Sequence, residues 1–460
     1  MSKNLLSNAS MIMTAVEALV FGSAFILVGS FIFDGRGAGA AYIAFQAIMP
    51  TGLVLLCLII AGGYQKEVWN SPITMLKRVL IGSVGGAIVI LLTHDLIFGH
   101  GKTAIEIVVA TICGGVFAVT ARLAGWWIAK GRAGQFMKRV LVLGDGERAE
   151  SVKAIIQDMI DFQFIGFLPI GASHDQPSTE PAAFGKDVLK AEKPLLDYAI
   201  ERQIDEVVVA LDGDTTEDLH RDLLACRLYG ITVTNKTAFV ERETGRIDLA
   251  PNLEWLIYSP GFKHNQGMDF LKRGVDFVAA MAILLLTTPL MALVALAVRW
   301  DSPGPAIFRQ TRTGLLGKPF TMYKFRSMRL DAEANGAQWA SDNDPRITKV
   351  GRFIRFTRLD ELPQLYNVIR GDMSLVGPRP ERPEMIEKLI EEIPYYMERH
   401  KVRPGITGWA QTSYAYTSTV EDTKVKLEYD LYYLKNQSMV LDFMILLRTF
   451  RVALGGVGAR

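Results

Sequence analysis

The chain has 460 residues, enough for two or three domains at about 150 residues each, and its formal net charge of +2 gives no global case for a nucleic-acid partner. Hydrophobic residues make up 50% of it and fall in long blocks, which speaks against a single soluble core and for membrane spans. Cys57, Cys113 and Cys226 stand far apart, which argues against a disulfide framework or a zinc site and suits a reducing compartment.

Four apolar stretches, at 11–33, 41–62, 79–98 and 104–128, each reach the about 20 residues that a helix needs to cross a bilayer. They predict a four-helix transmembrane bundle over residues 1–133. The leader MSKNLLSNAS holds one positive charge and precedes no A-x-A site, so the first stretch reads as a retained span. Lys66, Lys77 and Arg78 lie in the second link, and Lys130, Arg132, Lys138 and Arg139 follow the fourth span. The positive-inside rule then puts the N-terminus, the 64–78 link and everything after 130 in the cytoplasm of a multi-pass protein. Glu17 and Arg122 fall inside spans one and four. Either they pair, because lone charges at that depth are costly, or each snorkels separately to the interface.

Residues 134–245 read as a Rossmann-like α/β domain. MKRVLVLGD is a strand, and Gly144-Asp145-Gly146-Glu147-Arg148-Ala149 matches a G-x-G-x-x-A turn into a helix. Strands at 162–168, 204–211 and 231–234 alternate with helices at 195–202 and 216–229, the pattern of a doubly wound sheet. The second strand, FQFIGFLP, lacks the closing acid that a ribose would require, so an inherited fold used for assembly or regulation is favoured over NAD binding. Residues 246–267 read as a linker.

The segment 274–299 is long enough to span, but Lys272 and Arg273 before it and Arg299 after it give both flanks a cytoplasmic signature. Thr287-Thr288-Pro289 sits at its midpoint. Proline removes a backbone donor and kinks a helix, and the threonine hydroxyls can satisfy freed carbonyls. The expectation is a re-entrant helix broken at Thr288 and Pro289; a straight fifth span is the alternative. The rest of 268–460 is expected to be a mostly α catalytic domain.

That last third carries arginines and lysines among glycines and prolines, in SPGP to KFRSM, in DPRITKVGRFIRFTRLDEL and in GDMSLVGPRPERPE. Guanidinium forks suit phosphate oxygens. Asp360-Glu361 precedes Pro363, an apolar run at helical spacing and a Gly371 stop, so the acids are expected at a helix start. An isolated acid pair there is usually only a solvated cap; the surrounding arginines, the broken helix and the GPRP turn favour a site.

The motifs KFRSM, DPRITKVGRFIR, RLDELPQLYNVIRGDMSLVGPRPE, VRPGITGWAQ and YDLYYLKNQS resemble those of the polyprenyl-phosphate hexose-1-phosphate transferases of bacterial exopolysaccharide and O-antigen assembly, the bacterial sugar transferase family built on a monotopic phosphoglycosyl transferase core. The resemblance covers about 272–460, and the front and middle modules are similar to those of long-chain members. It differs at the helix break, where Thr-Thr-Pro stands for a common Ser-Pro. The resemblance implies that Asp360 is a nucleophile that takes a hexose 1-phosphate from a UDP-sugar, releases UMP and passes the group to undecaprenyl phosphate. It implies Mg²⁺ as cofactor with Glu361 as ligand. Lys324 and Arg379 match positions that handle phosphate, and Arg326 in KFRSM is taken as a further phosphate contact. It also implies the bacterial inner membrane with the catalytic domain cytoplasmic, membrane lipids as surroundings, a homodimer, and downstream polysaccharide glycosyltransferases as partners. Glucose and galactose lead as the sugar, ahead of N-acetylated ones. Two rivals are a membrane-anchored NAD-dependent nucleotide-sugar dehydratase, for which the middle domain lacks a Tyr-x-x-x-Lys pair, and a non-catalytic scaffold of polysaccharide assembly.

Overall fold

The computed structural model describes residues 8–32, 40–64, 72–93, 104–131, 137–159, 161–169, 193–211, 216–249, 257–262, 266–330, 332, 344–414 and 419–455. The chain divides into two compact units, 2–248 and 249–460, and is mostly helical with a four-stranded parallel sheet in the first.

The first unit begins with α1 (Asn8–Ile32), α2 (Ala40–Ile60), α3 (Pro72–Leu92) and α4 (Ala104–Gly131). The third helix starts earlier than the 79–98 expected, so Lys77 and Arg78 lie inside it. Pro72 suits a first helical turn, and long basic side chains reach outward from a helix end. Arg78 donates to the Ala61 carbonyl at 3.0 Å. Phe21 and Phe25, Val54 and Leu58, Val79 and Ile90, and Ala110 and Ala118 make a shared core across the four helices. Gly82 and Gly86 let α3 lie against α2: a Cβ on Gly82 would sit 2.8 Å from the Leu58 Cα, and one on Gly86 2.9 Å from that of Val54. Leu19, Leu80, Ile112 and Val116 point outward and are exposed.

Glu17 and Arg122 pair inside this unit, both essentially solvent-free. Arg122 Nε and Nη2 donate to the two Glu17 oxygens, the second at 3.0 Å, and Nη1 donates to the Gly63 carbonyl at 2.7 Å. The Tyr64 hydroxyl donates to Glu17 Oε2. Separate snorkelling is not what the structure adopts.

The parallel sheet has the order β2-β1-β3-β4, from β1 (Lys138–Leu143), β2 (Phe162–Leu168), β3 (Glu206–Val209) and β4 (Thr232–Asn235). The helices are α5 (Glu147–Gln157), α6 (Leu195–Glu201), α7 (Glu217–Tyr229) and α8 (Lys236–Thr244). Strand alternation sends Leu141, Leu143 and Val207 to one face under α6 and α7, and Val140, Val142 and Val208 to the other under α5 and α8. Three acids, Asp145, Glu147 and Glu150, lie at the start of α5, where a pyrophosphate would meet like charge. Arg148 there donates to the Leu211 carbonyl at 3.0 Å.

The second unit opens with α9 (Gln266–Asp301), which stays α-helical through Pro289. Thr287 and Thr288 hydroxyls donate to the Ile283 and Leu284 carbonyls, each at 2.7 Å. These are one turn before each threonine, not the Leu285 carbonyl that the proline frees, so the expected full break is absent. A lone proline costs one bond, and the turns on either side keep theirs. Among the described residues, α3 and α9 are long and apolar enough to cross a membrane. A hairpin follows, β5 (Ile307–Thr313) against β6 (Pro319–Phe325), then α10 (Lys349–Phe356), α11 (Gln364–Arg370) and β7 (Ser374–Val376). α12 (Pro383–Glu392), β8 (Gly405–Thr407), α13 (Trp409–Ser413), α14 (Val420–Lys435) and α15 (Met439–Gly455) complete it.

Both halves of α9 dock on this unit. On the first half, Arg273 donates to the Val368 and Ile369 carbonyls at the end of α11, and Lys272 pairs with Asp442 of α15 at 2.6 Å. Asp276 accepts from the Ser374 hydroxyl at 2.7 Å. On the second half, Val294 and Val298 pack with Ala306, Phe325 and Ile354. Between them Leu285, Leu286 and Leu293 are left exposed.

Candidate active site

Asp360 and Glu361 lie in a 3₁₀ turn, Leu359–Glu361, just ahead of α11, at the start of the helix where the sequence places them. Arg358 enters this turn with φ 59°, a left-handed backbone that a non-glycine residue adopts only at a cost. Leu359 packs on the cluster that includes Val294 and Val298, so the second half of α9 supports the turn from below. Asn367, fully buried on α11, latches it to β6: its Nδ2 donates to the Thr321 carbonyl at 2.7 Å and its Oδ1 accepts from the Tyr323 N–H at 3.1 Å. That latch sets Lys324, the next residue on β6, against the dyad.

Glu361 gathers cations. Arg379 Nη1 and Nη2 donate to its Oε1 at 3.3 and 3.2 Å, and Lys324 Nζ and Arg358 Nη1 each lie 3.9 Å from the same oxygen. Burial pushes its pKa up, but the charges of Arg379, Lys324 and Arg358 outweigh this and hold it below the usual range. Asp360 differs. Burial first, and the Glu361 charge second, raise its pKa to about 6, and its Oδ1 is buried with no hydrogen-bond partner. Lys324 is pressed down to about 8, by burial and then by Arg379.

Arg379 belongs to the turn Gly377-Pro378-Arg379-Pro380, which rests on the 403–407 backbone. Gly377 N donates to the Thr407 carbonyl and Gly405 N to that of Pro378, each at 2.9 Å. A Cβ on Gly377 would meet the Gly405 nitrogen at 2.9 Å, which is why both motifs carry glycine there. The turn's carbonyls are held by two more arginines: Arg312 Nη1 donates to Pro380 O and Arg399 Nη2 to Arg379 O, both at 3.0 Å. Arg399 is itself fixed by Asp430 at 2.8 Å, both buried.

A cavity of about 420 Å³ opens beside the dyad, and cationic side chains outnumber carboxylates on its walls. Lys324, Arg326, Asp360, Glu361 and Arg379 all line it. Arg326, however, spends its Nη1 and Nη2 on the Pro303 and Ser302 carbonyls, at 2.7 and 2.6 Å. It ties the loop after α9 to β6. Thr288 and Pro289 take no part in lining the cavity. The positioning pair Arg399–Asp430 and the Asn367 latch went unseen in the sequence because each partner is distant along the chain. The ELPQLYN and YDLYYLK motifs hold them without showing the pairing.

A half-sealed cationic cavity of this size suits a polyanionic phosphate ester, and its one unpartnered buried carboxylate oxygen suits attack on it. Residues 267–456 match the bacterial sugar transferase family. A UDP-N-acetylgalactosamine-undecaprenyl-phosphate N-acetylgalactosaminephosphotransferase of Aeromonas hydrophila is 44% identical over 261 residues, 56% of this chain and 60% of the relative. A UDP-glucose:undecaprenyl-phosphate glucose-1-phosphate transferase of Escherichia coli K12 is 35% identical over 361 residues, 76% of this chain and 73% of the relative. An undecaprenyl-phosphate galactose phosphotransferase of Salmonella typhimurium is 33% identical over 367 residues, 71% and 70% of the two chains. The chain belongs to the bacterial sugar transferase family, the polyprenyl-phosphate sugar-1-phosphate transferases.

Proposed function

We propose that the chain transfers a hexose 1-phosphate from a UDP-sugar to undecaprenyl phosphate and releases UMP, with Asp360 as nucleophile. The observation that carries this is the bare, buried Oδ1 of Asp360 at the wall of a cationic cavity. Asp360 attacks the sugar-linked phosphorus; the bond to UMP breaks and a bond to the carboxylate forms. An oxygen of the lipid phosphate then attacks the same phosphorus, and Asp360 leaves as a carboxylate. Arg379 and Lys324 offset the repulsion between an anionic nucleophile and an anionic diphosphate.

The donor set also fits a hard cation. The cationic contacts to Glu361 described above fall on Oε1, and the adjacent Asp360 offers a buried Oδ1 with no hydrogen-bond partner at the wall of the same cavity. Mg²⁺ typically takes one or two carboxylates plus phosphate oxygens. Glu361 would hold it. Bound there, the ion would neutralise phosphate charge and polarise the phosphoryl oxygens.

The membrane reading rests on packing. A straight helix of 36 residues would be about 54 Å long, well beyond the about 30 Å bilayer core, and would separate its ends across it. Here both halves of α9 dock on one unit while the middle exposes leucines, which supports a helix bent at Pro289, without a full break, that dips into one leaflet and returns. The exposed apolar faces and close glycine packing of α1–α4 support a transmembrane bundle, with a Rossmann-like module after it and the catalytic domain cytoplasmic. The acids at the start of α5 disfavour NAD there. Glucose and galactose remain the leading sugars, and the Aeromonas relative adds N-acetylgalactosamine to the screen. A homodimer and hand-over to downstream glycosyltransferases complete the reading.

The test uses the full chain in lipid with a UDP-sugar labelled in its sugar-linked phosphate. The wild-type protein should acquire label and release UMP, and Asp360→Asn should do neither. Label on the Asn variant, or undiminished turnover, overturns the assignment.

A further inference from the structure

A second cavity, an open groove of about 880 Å³, runs between the second half of α9 and the start of β5. Its walls include Ala292, Leu296, Pro305 and Phe308, with Arg299 and Arg309 at the same groove. Small side chains at Ala292 and Ala295, both facing it, create the hollow in the helix surface. Phe308 lines both this groove and the catalytic cavity, and it stands opposite Lys324 in the β5–β6 register. The groove therefore ends one side chain away from the cation that faces the dyad.

Charge and depth specify the occupant. Among the described residues, neither Arg299 nor Arg309 makes an ion pair with a carboxylate; Arg309 lies over the Tyr323 ring at 5.8 Å. The α9 sequence passes there from an all-apolar run, Ala292–Val298, to Arg299 and the 92% exposed Trp300. Arg beside Trp at the end of an apolar helix marks headgroup level. An apolar trough at that depth, with two guanidinium groups beside it and a path to the dyad, matches a lipid that carries a phosphate at the end of a single hydrocarbon chain.

We infer that this groove seats the first isoprene units of the polyprenyl phosphate acceptor, with Arg309 and Arg299 drawing its phosphate toward the dyad. The inference rests on the transferase reading above and assigns the acceptor half of it. The water-soluble UDP-sugar occupies the cationic cavity and does not need the groove.

Kinetics on the full chain in nanodiscs separate the two substrates. Ala292 is exposed, so Ala292→Trp can fill the trough without disturbing the core, and Arg309→Gln removes the charge alone. Each should raise the KM for undecaprenyl phosphate about tenfold, equivalent to about 1.4 kcal/mol, while the KM for the UDP-sugar moves much less. Arg309→Lys should recover part of the loss. With a two-isoprene phosphate in detergent, the Ala292→Trp penalty should shrink. An active wild type whose lipid KM ignores both variants sinks the groove alone. So does a parallel rise in both KM values, or a phospholipid as the species that Ala292→Trp displaces from the purified protein. A wild type that makes no lipid product from any UDP-sugar sinks the parent reading instead.

Discussion

Glu17 and Asp360 are both carboxylates buried next to arginine, yet the two places are built on opposite rules. In the helical front, the charges match one to one and the groups are spent: Arg122 gives three donors to Glu17 and Gly63, and Tyr64 gives another. In the C-terminal unit the cations Lys324, Arg358 and Arg379 crowd one oxygen of Glu361, and Asp360 Oδ1 has no partner. A satisfied buried pair holds elements together. An unsatisfied one beside a cavity stores affinity for something that arrives later.

The sharpest way to break the comparison is to cut each cluster. Removing one member of the front pair leaves an uncompensated buried charge, so Arg122→Gln or Glu17→Gln should each cost about 3–5 kcal/mol of stability. The double variant should cost much less than the sum, read as unfolding midpoints in detergent. Additive losses would mean that the two groups do not act as a pair. Arg379→Ala should do the reverse. Its guanidinium is partly exposed and meets Glu361 at the cavity, so turnover should fall about 10²–10³-fold, the usual scale for a lost charge-stabilising donor. The unfolding midpoint should stay close to wild type. Wild-type kinetics would reduce Arg379 to a tether for Glu361.

Much of this was legible in the chain. The strand and helix positions of the middle module follow from apolar alternation and glycine punctuation, and Gly371 closes α11 with φ 94° as its position suggests. The dyad and the GPRP turn were legible as motifs. What the sequence hides is long-range exchange of hydrogen bonds. Nothing in KFRSM says that Arg326 is spent on the Ser302 and Pro303 carbonyls while its neighbour Lys324 stays at the dyad. The Asn367 latch and the Arg399–Asp430 clamp are likewise set by tertiary packing. The start of α3 shifted because Pro72 suits a first turn and Arg78 finds the Ala61 carbonyl, so the helix takes in two cations that hydropathy alone would leave outside it.

Chemistry at the open cluster should also show in its response to protons. The folded chain holds the Asp360 proton more tightly than an unfolded chain does, with a pKa of about 6 against an ordinary value near 3.9. Stability tied to that proton is present below pH ~4 and lost as pH rises through about 6. Asp360→Asn, measured in chelator at pH 8, should therefore be more stable than wild type by about 1–3 kcal/mol, with the gap closing near pH 4. A destabilised Asn variant at pH 8 would mean that the carboxylate is satisfied after all.

The smallest effect separates the two groups kinetically. Attack requires Asp360 ionised, so kcat/KM for the UDP-sugar should climb with pH through about 6. Binding the diphosphate requires Lys324 protonated, so the same profile should fall again through about 8. Burial next to Arg379 is what brings Lys324 into that range, and an arginine keeps its charge at any accessible pH. Lys324→Arg should lower the plateau, because a planar fork replaces a point charge, while moving the alkaline limb upward by more than a unit. An alkaline limb that stays near its wild-type position in Lys324→Arg would assign that proton to another group, and the cavity's cations would then be fixed charges that take no part in setting the working pH.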